Sequence, residues 1–304
     1  MKPKSSRMSQ LIAEFPRFLD AFGRDPPFNR HGQLEYHLAT IQRRRALGSA
    51  VNAIEDGLFL QSLYRTLQAW GIGARASKLE PFEAFAGTLR AKSSQIAVLD
   101  GLSIDDPTLN PSAVGEQLWC LIDGLHIVTN NTRIVPGSKA LHHLLPDLVV
   151  PMDRAYTQRF FHWQNPKFQY EPASCFQQAF AAFVEIARKV NPAQYMGVGW
   201  NSSRTKIIDN AVVGMLRDEE ESGELTKQGW QRTEAFVVGV TTEIAIAGGR
   251  ARSLYAVLMD TPEQAVEAVR RIVAPGCEVE FTGSKLLPET VRKLGLKPGQ
   301  AHHF

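Results

Sequence analysis

The stretch Val135–Asp153, VPGSKALHHLLPDLVVPMD, decides how this chain is read. Gly137 and Ser138 supply a tight turn and a helix start, so Lys139 is expected in the first turn of the short apolar helix KALHHLL, which Pro146 stops within about two turns. There the positive end of the helix dipole and partial burial both disfavour an ammonium. An amine that is to attack carbon near neutral pH needs that push. Asp153 falls where the N-cap of a following helix, RAYTQRFFHW (Arg154 to Trp163), belongs. A carboxylate held by backbone amides stays ionised and can steady a developing cation or orient a water. The pair therefore predicts a lysine nucleophile beside a fixed anion.

Working outward, the chain reads as mainly α over residues 1–217, with roughly eight to ten helices. Arg43 to Trp70 carries Leu47, Val51, Ile54, Leu58, Leu63 and Leu67 at steps of three to five, which is helical spacing, and Gly71 and Gly73 end it. Further helices are expected over PFEAFAGTLRAK, SQIAVLDGL, AVGEQLWCLIDGLHIV and ASCFQQAFAAFVEIARKV, the last closed by Asn191-Pro192. An acidic run from Asp218, DEEESGELTKQG, starts a linker assigned to residues 218–231. Beyond it, residues 232–304 change pattern: AFVVGVTTEIAIAGG, SLYAVLMD and CEVEFTG read as strands. TPEQAVEAVRRIVAPG reads as a helix capped by Thr261 with Pro262 at its first position, and LLPETVRKLGL as a last helix. The fold class is thus a helical domain followed by a small α/β domain.

Composition narrows the functional classes. The chain has 304 residues, is 44% hydrophobic and carries a formal charge of +3. Its charge is uneven, with 24 basic against 18 acidic residues in 1–217 and 10 against 13 in 218–304. A basic first domain suits a phosphate-bearing partner. Three cysteines, Cys120, Cys175 and Cys277, are odd in number and outside any CxxC spacing, which argues against a disulfide framework and for a reducing cytoplasm. The start, MKPKSSRMSQLIAEF, leads into no apolar run long enough for a signal peptide or membrane span.

The order of turn, lysine, short apolar helix, VPxD and helix resembles the helix-hairpin-helix DNA glycosylases. In that family a lysine just after a glycine-bearing hairpin attacks the sugar C1′, and an aspartate follows at the start of the next helix. The resemblance implies that Pro136 and Gly137 form the hairpin, that Lys139 is the Schiff-base lysine and that Asp153 is the essential aspartate. It implies a DNA base-excision glycosylase, with or without a lyase step, needing no cofactor. The alternative is a non-catalytic module of the same fold that binds nucleic acid or a protein. A protein partner would engage the C-terminal domain.

Several other residues are expected to hold DNA. Gly137 and Ser138 of the hairpin, His142 and His143 on the same helix, and Arg154 after the aspartate form one group. YMGVGWNSSRTKIIDNAVVGML forms the other, combining Gly197 and Gly199 with Trp200, Asn201, Ser202, Arg204, Lys206 and Asp209. Small residues before a helix start, followed by cations, suit a phosphate, and a neighbouring aromatic can stack on a base. Phe160, Phe161 and Trp163 could form a wall against a flipped base. A zinc site at His142-His143 would need further ligands, and HHxxxD is not a recognised ligand spacing, so no metal is expected.

Overall fold

The computed structural model describes residues 4–28, 32–74, 77–163, 167–221, 234–244, 249–259, 261–286, 290–291, 294, 296 and 301–303. The chain divides into two compact units, Met1–Ser222 and Gly223–Phe304. The first is helical and the second is built on a four-stranded antiparallel sheet, in keeping with the expected fold class. Among the described residues no helix is long and apolar enough to cross a membrane.

In the first unit the helices are α1 (Lys4–Ala13), α2 (Phe15–Arg24), α3 (Gln33–Ala46), α4 (Ala50–Glu55), α5 (Gly57–Ala69), α6 (Phe82–Ala91), α7 (Ser93–Leu99), α8 (Pro111–Gly124), α9 (Ile134–Leu144), α10 (Thr157–Phe160), α11 (Lys167–Tyr170), α12 (Pro172–Val190) and α13 (Arg204–Glu221). Capping explains where many of them begin. Asn110 accepts from the amides of Ser112 and Ala113 ahead of Pro111, and Ser203 accepts from the amide of Lys206. Helix α12 buries Cys175, Phe176, Ala179, Phe180, Phe183, Val184, Ala187 and Val190, one stripe at helical spacing, and ends at Asn191 in the left-handed region (φ 47°).

The segment Arg43 to Trp70, expected as one helix, is three. Gly48 (φ 74°) breaks α3, Ser49 accepts from the Asn52 amide to start α4, and Asp56 accepts from the Phe59 amide at 2.6 Å to start α5. Apolar spacing continues across the breaks because Ile54 of α4 and Leu63 and Leu67 of α5 face one core with Leu47 packed against it, whereas Leu58 is exposed. The acidic run is also shorter as a linker than expected, since Asp218–Glu221 complete α13. Asp218 pairs with Arg17 at 2.7 Å and Glu219 with Arg7 at 2.6 Å, tying α13 to α2 and α1. Residues 222–233 lie outside the described ones.

In the second unit the strands β1 (Glu234–Ile244), β2 (Gly249–Met259), β3 (Glu278–Lys285) and β4 (Ala301–His303) lie in the order β3-β1-β2-β4. Register runs from Glu234 opposite Met259 to Ile244 opposite Gly249, and a register shift between Phe236 and Val238 marks the β1–β3 pairing. Phe236, Val238 and Val240 alternate onto one face, where Ala265 and Val269 of α14 (Pro262–Arg270) cover them. Thr261 caps α14 as expected. CEVEFTG, expected as a strand, forms β3 from Glu278 on, and the strand runs past Gly283 to Lys285. Most of the expected last helix falls outside the described residues.

Candidate functional site

The local fold around Lys139 differs from the expected hairpin. Helix α9 begins at Ile134, so Pro136, Gly137 and Ser138 are helical and Lys139 sits in mid-helix. Proline is tolerated there because an amide in the first turn has no intrahelical acceptor to lose. Gly137 serves close packing: a Cβ on it would lie 2.9 Å from Ile122 Cγ2 of α8. No glycine hairpin forms, and the dipole argument for Lys139 falls with it.

What α9 does instead is lay the loop after it along its own side. Ser138 Oγ accepts from the Met152 amide at 3.0 Å, and His142 Nδ1 donates to the Val149 carbonyl at 3.0 Å. Thr205, from α13, donates to the Pro146 carbonyl. Asp153 follows directly. Its Oδ1 accepts from the Tyr156 amide at 2.7 Å while its own amide donates to Thr157 Oγ1 at 3.1 Å, so it closes the turn Arg154–Tyr156, whereas the expected helix N-cap falls to Tyr156. The helix it precedes is only Thr157–Phe160, because His162 takes a left-handed backbone (φ 52°) and ends it.

Lys139 and Asp153 line one cavity of about 240 Å³. The other walls are Trp70 from the end of α5, Tyr156, Phe28, Trp200 and Gln33, with Lys206 and Asp209 from α13. The half-buried Lys139 amine donates to the Trp70 carbonyl at 3.4 Å and lies 5.6 Å from the Trp70 ring centre. It forms no ion pair with a described carboxylate. Burial pushes its pKa down, against the opposing pull of Asp153 and Asp209, and Lys206 pushes the same way as burial.

The second cation is held differently. Lys206 Nζ lies 2.5 Å from Asp209 Oδ2 and faces the rings of Phe28 at 4.9 Å and Trp200 at 5.0 Å. Ring faces attract an ammonium that has lost its water. Burial raises the pKa of Asp209, and Lys206 opposes the rise. Gln33 donates from Nε2 to the Ala69 carbonyl at 2.8 Å, which leaves its buried Oε1 without a hydrogen-bond partner among the described residues.

Behind Trp70 and Trp200 lies a polar cluster of three fully buried histidines, His37, His142 and His143. His37 packs against both tryptophans, with ring centres 5.2 Å and 5.5 Å away. His143 Nδ1 faces the Lys139 carbonyl at 2.8 Å, so it carries the proton and Nε2 is the acceptor for His37 Nδ1 at 3.0 Å. His37 Nε2 then accepts from Ser202 at 2.7 Å. His142 Nε2 has no hydrogen-bond partner among the described residues. Burial holds His37 and His142 well below the ordinary imidazole pKa and takes His143 to about 4.

The DNA-holding residues fare unevenly. Lys139, Asp153, Trp200 and Lys206 converge on the cavity. Gly137, Ser138, His142 and His143 are buried and cannot meet a DNA backbone, which corrects their assignment. Arg204 donates to Ser103 Oγ at 2.7 Å and lies 3.4 Å from Asp105. The amide at the start of α13 donates to Asp147 Oδ1, so the expected phosphate position already holds a carboxylate. Asn201 accepts from Asn210, and Arg154 is exposed. Phe160 and Trp163 are core residues, and Phe161 stacks on Trp163 at 4.6 Å, so they form no wall of the cavity. Sequence alone does not single out Phe28, Gln33, His37, Trp70 and Tyr156, which are single residues on distant segments with no local motif to mark them. Comparisons with protein-family models, with curated proteins and with solved structures find no match to this chain.

Proposed function

We propose that the first unit is a DNA base-excision-type glycosylase acting through Lys139 and Asp153. The observation that carries the reading is the convergence of an amine outside any described ion pair and a backbone-anchored carboxylate on one cavity walled by aromatic rings. A flipped base is held by stacking between such rings and by hydrogen bonds to its edge. Trp70, Trp200 and Phe28 would supply the stacking, and Gln33 Oε1 an acceptor for a ring or exocyclic N–H.

In this reading the neutral amine of Lys139 adds to the sugar C1′ as the C1′–N bond breaks, and the base departs with the bonding electrons and takes up a proton. Asp153 lowers the energy of the positive charge that grows at C1′. Loss of the amine proton and ring opening leave an imine at C1′, which supports a lyase step. The three cysteines, free of disulfides, agree with a reducing cytoplasm.

The test uses a panel of lesion-bearing oligonucleotides with the full-length protein. The expected result is base release and a borohydride-trapped covalent adduct, with the adduct lost in Lys139→Ala. DNA binding at low salt without release or trapping would overturn catalysis and favour the non-catalytic module.

A further inference from the structure

We propose that His37, His142 and His143 form a three-histidine zinc site, tying α3 to α9 behind the tryptophan walls of the cavity. One ring nitrogen from each lies within 4.8 Å of the other two. In a tetrahedral zinc site with Zn–N near 2.0–2.1 Å, neighbouring ligand nitrogens stand about 3.3 Å apart, so no pair has to close by more than about 1.5 Å. His37 Nδ1 and His143 Nε2, at 3.0 Å, already stand near that spacing.

The outer contacts are those a metal site requires. Protein histidines that bind metal donate their second N–H to a carbonyl or another acceptor, which fixes tautomer and ring orientation. His143 does so to the Lys139 carbonyl and His142 to the Val149 carbonyl, which leaves each with a bare Nε2, the one on His143 facing His37. The His142 lone pair is the telling one, being fully buried with no partner among the described residues. An unpaired polar atom in such a place is costly unless a partner fills the gap. His37 joins the set by moving its proton from Nδ1 to Nε2, from which it donates to Ser202 Oγ.

Imidazole ligands suit zinc, and three of them leave one tetrahedral position for water. The Lys206 ammonium repels a dication, and its ion-pair partner Asp209, 2.5 Å away, offsets that repulsion. Because the cluster is sealed, the metal enters during folding. This site is independent of the proposed glycosylase chemistry, and its readouts are not activity.

The full-length protein is refolded with Zn2+, freed of loose metal by gel filtration and analysed for zinc, and a parallel sample is refolded with Co2+. The expected results are one zinc per chain, the visible absorption of tetrahedral Co2+, and a Tm several degrees higher with metal than without it. Both metal signals are lost in His37→Gln and His142→Gln and kept when His302 and His303 are changed to Ala. A wild-type chain that holds no zinc, or binding that survives His37→Gln, overturns the site. If His37→Gln does not fold, wild-type metal content and Tm decide, and an unchanged Tm counts against the proposal.

Discussion

Lys206 Nζ and Asp209 Oδ2 stand 2.5 Å apart on one face of α13, in a box of aromatic rings that leaves the lysine 1% exposed. Such a pair is expensive to break from one side, because the surviving charge stays buried without its partner. Asp209→Asn is expected to destabilise the first unit by about 3–5 kcal/mol, whereas joint replacement by Met and Leu should cost far less. Urea titration of both variants checks this. An Asp209→Asn protein within about 1 kcal/mol of wild type would mean that water reaches the pair.

Ser138 ties together the two segments that matter most. It directly precedes Lys139 on α9, and its hydroxyl accepts from the amide of Met152, the residue directly before Asp153. Ser138→Ala leaves that buried amide unpaired, an expected loss of about 1–3 kcal/mol. If the tie positions Asp153, adduct formation should fall even under conditions where the variant is fully folded. Full adduct yield from a destabilised variant would show the tie to be structural only.

Two glycines separate close packing from permissive exposure. Gly137→Ala places a methyl 2.9 Å from Ile122 Cγ2, with an expected overpacking cost of about 1–3 kcal/mol that Ile122→Val should relieve. Gly87 is exposed in α6, and a Cβ added there would meet nothing within 4 Å, so Gly87→Ala should stabilise by up to about 1 kcal/mol. Thermal unfolding of the two variants should shift in opposite directions.

The same contrast separates what residues alone reveal from what they hide. Ends such as Asn191-Pro192 and Thr261-Pro262 are legible because capping is local chemistry. Val135 to Lys139 has the look of a hairpin because Pro and Gly usually punctuate. Here the proline sits where its missing amide costs nothing, and the glycine answers a side chain on another helix. The convergence of Lys139 and Asp153 is legible for a similar local reason, since neighbouring segments joined by Ser138 carry both. The tryptophan walls, Gln33 and His37 are not, because only the packing of α3, α5, α9 and α13 brings them together.

Lys139 and Lys206 both line the cavity, and of the two only Lys139 lacks a carboxylate partner among the described residues. Digestion of the borohydride-trapped complex and mass mapping of the modified peptide tell them apart most directly. The account predicts the sugar remnant on Lys139, with none on Lys206. An adduct on Lys206, or one that persists undiminished in Lys139→Ala, would contradict it.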